Sequence, residues 1–134
     1  MAIEIKDFSL AVSEILDGYS ENVREAVSGA VEQAGKKALK VVRAKSPVSK
    51  RRGGGRYKKG WRMKKERGGI YHDRVNVTIY NATDGPLTHL LEHGHQKASG
   101  GRVRGIPHLQ PAYEEAERVL PQLTARAIEE ASGK

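Results

Sequence analysis

Between Val23 and Val42 the apolar residues recur three and four apart: Val23, Ala26, Val27, Ala30, Val31, Ala34, Ala38, Val41 and Val42. That spacing places them on one stripe of a helix. Ser20 suits the cap, and Glu21 and the cations Lys36, Lys37, Lys40, Arg43 and Lys45 match the two ends of the helix dipole. Ser46-Pro47 ends the helix, because proline disfavours helical geometry in the residue before it. Gly29 and Gly35 each cost about 1 kcal/mol relative to alanine and read as points of close contact. The stripe is narrow and rich in alanine, so a neighbour can approach closely. Apolar surface on it is expected to remain open for a partner subunit. Upstream, Asp7 or Ser9 can cap a shorter helix holding Phe8, Val12, Ile15 and Leu16, ended by Gly18.

After Val48 the periodicity disappears, and a flexible basic arm is expected at about residues 48–60. From Tyr57 the pattern shifts to period two. Trp61 and Met63 share one face and Arg62 and Lys64 the other. Past the turn signal Gly68-Gly69, Val75, Val77 and Ile79 alternate with Asn76, Thr78 and Tyr80. Two antiparallel strands follow, and a ribbon of two strands must lie on a helix or join a larger sheet. Asn81 to Pro86 reads as a loop, Leu87 to His93 as a short helix capped by Gly94, and Val103 to Ile106 as a possible third strand. Pro111 suits the first turn of a last helix carrying Ala112, Ala116, Val119, Leu120, Leu123 and Ala127 on one face, with Pro121 expected to kink it. The predicted class is α+β, with a long N-terminal helix and a kinked C-terminal helix packed on a small, mostly antiparallel sheet. Residues 1–134 form one domain.

Composition narrows the chemistry. Only 37% of residues are hydrophobic and 5% aromatic, so the core is thin for the length. With no cysteine there is no disulfide, thiolate nucleophile or thiolate metal site. The first residues, Met1 to Phe8, lack the basic flank and apolar run of a signal peptide, and no stretch is apolar enough to cross a bilayer. These features suit a soluble protein made in a cytoplasm, with no membrane partner. A net charge of +8 points to polyanions or acidic protein surfaces. Most cations lie between Lys36 and Arg74, whereas the last helix opens with Glu114, Glu115 and Glu117. Opposite charge on opposite parts suits head-to-tail assembly.

His89-Leu-Leu-Glu-His93 satisfies the H-x-x-E-H pattern of inverted zinc peptidases, with His95 close by. Two histidines four apart can share a metal, and a glutamate between them can activate water. The helix is too short for such an enzyme, and the third ligand it would need has no counterpart. Neither catalysis nor a cofactor or resident metal is therefore expected. Gly53-Gly-Gly55 lacks the lysine and hydroxyl of a phosphate loop. The strongest chemical signal is the basic segment Lys50, Arg51, Arg52, Arg56, Lys58, Lys59, Arg62 and Lys64, with Tyr57 and Trp61 interleaved. Glycines let such a segment follow a phosphate backbone, and no sequence-reading motif accompanies it. Trp61 is expected to pack on the inner face of the sheet.

Ala44-Lys-Ser-Pro-Val48, Arg56-Tyr-Lys-Lys-Gly-Trp-Arg-Met-Lys64, Thr88-His-Leu-Leu-Glu-His-Gly-His95, Gly100-Gly-Arg-Val103 and Pro107-His-Leu-Gln-Pro-Ala112 follow one another in an informative order. That order resembles the minor neck proteins of long-tailed double-stranded DNA bacteriophages, the tail-completion or head–tail joining family. Ser49-Lys-Arg-Arg-Gly-Gly-Gly55 stands where members carry a short Thr-Gly step. The resemblance implies a structural virion protein forming a homo-oligomeric ring, a hexamer, in the neck. One side would meet head-completion or connector proteins and the other the tail terminator or tail tube, with transient contact to genomic DNA through a central channel. It also implies structural roles for Trp61, Leu90, Leu91, Glu92, Gly94, His95, Pro107 and Pro111. Leu90 and Leu91 would anchor the short helix in the core, the histidines would form hydrogen bonds, and His108 would pin the chain before Pro111. The alternative reading is a nucleic-acid-binding module without sequence preference, and a small metalloprotein comes third.

Overall fold

The structure, a computed structural model, describes residues 8–12, 21–48, 55–68 and 74–132. The long helix α1 spans Glu21–Lys45 and α4 spans Leu109–Ser132. Between them come the single turn α2 (Arg56–Lys59), strands β2 (Trp61–Gly68) and β3 (Arg74–Asn81), and the short helix α3 (Thr88–His93). A small hairpin, β4 (Gly94–Gln96) and β5 (Arg102–Arg104), precedes α4. Strand β1 (Phe8–Val12) completes an antiparallel sheet of order β1-β3-β2. The α+β arrangement is the one expected from the sequence.

Helix α1 is the centre of the molecule, with the sheet on one side and α4 on the other. Val27, Val31, Ala34, Ala38 and Val42 are fully buried among Val77 and Ile79 of β3, Trp61 of β2, and Ala112 and Ala116 of α4. The register pairs Met63 with Ile79 and Lys65 with Val77, so these residues share the helix-facing side. Lys65 accordingly meets Glu32 of α1 at 3.1 Å. Arg62 and Lys64 stand on the outer face and are exposed. At Gly35 an added Cβ would lie 2.6 Å from Val77 Cγ1 and 2.9 Å from Met63 Sδ. Only glycine allows helix and sheet to approach this closely.

Several expectations need correction. Residues 8–12 form a strand rather than the start of a helix. Phe8, Leu10 and Val12 alternate with Ser9 and Ala11, and the open edge of β3 at Val75–Ile79 takes them as a third strand. The remainder of that expected helix, residues 13–20, lies outside the described residues. The sheet's third strand is therefore β1, and Arg102–Arg104 pairs only with β4 in a separate two-stranded sheet. Residues 56–59 of the expected arm and strand instead close one helical turn, with Gly55 at φ 95° and Gly60 in a space closed off by Asn81 and Thr83. Gly29 is no contact point, since a Cβ there would meet nothing within 4 Å. Nor is the valine stripe left open for a partner, because Val27 and Val31 are both wholly buried within the chain. Helix α4 runs unbroken through Pro121.

Candidate functional site

Helix α3 places Thr88 and Glu92 four residues apart on one buried face. At Gly94 the chain adopts φ 81° and leaves the helix. The hairpin β4–β5 carries it out and back, and Ile106 N–H returns to Leu91 C=O at 2.8 Å. This return sets Glu92 beneath the start of α4. Its carboxylate accepts the backbone N–H groups of His108 (2.9 Å), Leu109 (2.8 Å) and Gln110 (3.0 Å). A helix start leaves four N–H groups without intrahelical partners. Here three are taken by Glu92, and the fourth position is Pro111, which has none to offer. Burial pushes the Glu92 carboxyl up, but hydrogen bonds from the His108 ring and those three N–H groups outweigh it and hold it down at about 2.

His108 is itself fully buried. Its Nδ1 lies 2.7 Å from Ile106 C=O and 3.0 Å from Glu92 Oε1, both acceptors, so that nitrogen carries a proton. Its Nε2 meets Tyr57 Oη at 2.6 Å, and Tyr57 Oη also lies 3.2 Å from Thr88 Oγ1. Burial raises the Tyr57 hydroxyl to about 12, offset in part by Thr88 and reinforced by the negative charges of Glu92 and Asp84. Trp61 completes the cluster, edge-on to Tyr57 at 5.6 Å and to His108 at 5.8 Å between ring centres. Its Nε1–H donates to Ser46 Oγ at 2.8 Å, and Arg43 donates to its backbone carbonyl at 2.8 Å. The end of α1, the start of β2, α3 and the start of α4 are thus joined by one satisfied polar network. Asn81 adds a second tie: Nδ2 donates to Tyr57 C=O at 2.7 Å, while Oδ1 accepts the N–H groups of Thr83 and Asp84.

The residues singled out from sequence fall into three groups. Trp61, Glu92 and Gly94 form the junction together with His108, which pins the chain as expected. Leu91 is partly buried and packs against the core, and Pro111 lies in the first turn of α4. Leu90 is a correction: it is only partly buried and no part of the core, because Thr88 and Glu92 occupy the inward face of α3. His89 and His95 are corrections as well, since their Nδ1 atoms are buried without a hydrogen-bond partner. Pro107 is exposed.

The basic set stands apart from the junction. Among its described members, Arg56 pairs with Asp84 at 3.4 Å and Lys64 with Glu66 at 2.9 Å. Arg62 donates to the carbonyls of Lys59 and Trp61. Lys59 is exposed and Lys58 partly so, both on α2. Lys50, Arg51 and Arg52 lie outside the described residues.

Sequence reasoning missed Tyr57, Thr88 and Asn81 as network members, and read Glu92 only as a family-motif or water-activating residue. The Asn-x-Thr-Asp run at Asn81 was a usable signal, since asparagine commonly accepts from the N–H groups two and three residues on. Nothing local in the sequence shows that Glu92 caps a helix beginning at Leu109. Both its oxygens are occupied by that cap, so it does not stand over His89 and His93 as a base. Among the described residues no group of three or more His, Asp or Glu side chains is arranged to hold a metal ion. No helix among them is long and apolar enough to cross a membrane.

Residues 11–94 match the sequence model of a family described as "Bacteriophage HK97-gp10, putative tail-component", which is more than half of the 134-residue chain. The match runs from β1 to the end of α3 and stops where the β4–β5 hairpin begins. No curated protein and no solved structure matches the chain.

Proposed function

We propose that this chain, which belongs to the HK97-gp10-like family of bacteriophage tail components, is a structural virion protein that forms a ring in the phage neck. The ring joins the DNA-filled head to the tail and leaves a channel for DNA passage. The observation that carries this reading is the family match across α1, the sheet and α3. The geometry agrees with an adhesive role, because the buried polar groups of the junction are spent on fixing elements to one another. Head-completion or connector proteins would meet one face and the tail terminator or tail tube the other. Within the ring, the outer face of β2 and α2 (Arg56, Lys58, Lys59, Arg62, Lys64) would border the DNA path. Lys50, Arg51 and Arg52 would dock on a neighbouring ring. Phage lacking the chain should accumulate separate heads and tails, and electron microscopy of the lysate tests this. Joined, infectious particles made without the chain would overturn it.

A nucleic-acid-binding module is the second reading, favoured by the exposed cations on β2 and α2. Such a protein would bind duplex DNA tightly at physiological salt, with affinity falling as released counterions come to dominate. Pairing of Arg56 and Lys64 with Asp84 and Glu66 weakens that reading, since paired cations release fewer counterions.

A further inference from the structure

The β4–β5 hairpin and a groove at the other end of the helix pair are complementary. Residues 96–102 are all exposed. The only elements with extensive contact to either strand are its partner strand and α3, at the hairpin's base. The base itself is firm. A Cβ on Gly105 would lie 2.5 Å from Glu92 C=O, and Arg102 donates to His93 C=O at 2.9 Å. The tip is slim, Ala98-Ser-Gly-Gly101, with Gly100 and Gly101 at φ 97° and 82°. It is flanked by Lys97, Arg102 and Arg104, and no residue from 94 to 105 is acidic. A two-stranded ribbon this exposed is marginal in water without something to lie against.

The groove lies between the first half of α1 and the second half of α4, with a volume of about 640 Å³. Its floor is small: Ala26, Gly29, Ala30, Ala127 and Ala131. Glu25 and Glu130 line it against one guanidinium, Arg126. The two helices run antiparallel, since the Glu115 carboxyl, held low chiefly by Arg118, also feels Lys37 from the far half of α1. The hairpin therefore leaves the molecule at the start of α4, and the groove lies roughly 20–30 Å away along that helix at 1.5 Å per residue. A hairpin cannot reach its own groove, whereas a second copy can bring its hairpin there. Surfaces at opposite ends that fit each other generate a head-to-tail contact, which closes into a ring when the rotation permits.

We infer that the β4–β5 hairpin of one subunit seats in the α1–α4 groove of the next, its glycine tip on the alanine floor and its cations beside Glu25 and Glu130. This inference rests on the ring reading above and names its subunit contact. It also gives Gly29 a role: its open Cβ position leaves room for a visiting backbone. The test uses the full-length chain, which has no native cysteine. Ser99→Cys is combined with Gly29→Cys or Ala127→Cys, oxidised, and compared with each single variant. In parallel, Lys97→Glu/Arg104→Glu and Glu25→Lys/Glu130→Lys are measured separately and mixed by native mass spectrometry. The expected result is a ladder of disulfide-linked oligomers from the double-cysteine chains only. Either charge reversal alone should weaken assembly by about tenfold or more, and combining both in one chain should restore it. A wild-type ring without cross-linking or charge-swap rescue would overturn this contact and leave the ring standing. A chain that stays monomeric up to millimolar concentration would overturn the ring and this contact together. If Lys97→Glu/Arg104→Glu leaves assembly intact but lowers affinity for duplex DNA, the hairpin is a DNA contact instead and the inference fails.

Discussion

Replacing Glu92 by glutamine keeps the shape of the side chain and removes its charge, which isolates what the carboxylate does at the start of α4. The carboxylate accepts three backbone N–H groups and the His108 Nδ1 proton. An amide keeps one acceptor oxygen and turns an NH₂ group towards donors it cannot serve. Holding the acid at about 2 rather than 4.5 corresponds to about 3 kcal/mol at neutral pH, taking about 1.4 kcal/mol per tenfold in proton affinity. Because the folded-state value is depressed, this stability is fully present above the unfolded value of 4.5 and is lost as pH falls towards 2. Urea unfolding at pH 7 should therefore show Glu92→Gln less stable by about 3 kcal/mol, roughly 10 °C in Tm for a chain of this size. Near pH 3 the gap between the two proteins should shrink to about half, since only the wild type titrates. A gap below about 1 kcal/mol at pH 7, or one that does not narrow on acidification, would refute the assignment of Glu92 as the α4 cap.

The two glycines of α1 should separate cleanly. Gly35→Ala should destabilise by about 1–2 kcal/mol because its methyl group enters Val77 and Met63, whereas Gly29→Ala should stabilise the monomer by up to about 1 kcal/mol through helix propensity. Thermal melts of both decide it, and equal shifts would contradict the packing described. Val31→Asp should leave little folded protein by circular dichroism, since it buries an unpaired charge at a cost above about 4 kcal/mol. A folded, soluble variant would show that Val31 is not in the core. Trp61→Phe should lose about 2–3 kcal/mol through a cavity and the missing donor to Ser46. An unchanged denaturation midpoint would argue against the Trp61–Ser46 bond.

Periodicity carried most of the fold into the sequence. The stripe from Val23 to Val42, the alternation on Trp61–Lys64 and Val75–Tyr80, and the Ser46-Pro47 stop all describe local geometry, and each element lies where its pattern places it. What failed was decided at a distance. Phe8–Val12 is short enough to suit helix or strand, and the open edge of β3 chooses strand. Leu90 looked like an anchor because leucine is apolar, but α3 turns Thr88 and Glu92 inward to satisfy Tyr57 and α4. Gly29 and Gly35 are alike in sequence, and only their different neighbours, open space and the sheet, tell them apart. Of the candidate site, Trp61 and Gly94 were legible as single residues. The Glu92–His108–Tyr57 network was not, because its members are up to 51 positions apart and share no spacing rule.

The central claim, a ring in the neck, is tested most directly by electron cryomicroscopy of the intact phage particle with this chain carrying a small fused density marker. The expected result is marker density repeated around the axis between the head connector and the tail tube, surrounding an open channel. Particles whose neck lacks that density, or that carry it elsewhere or not at all, would contradict it.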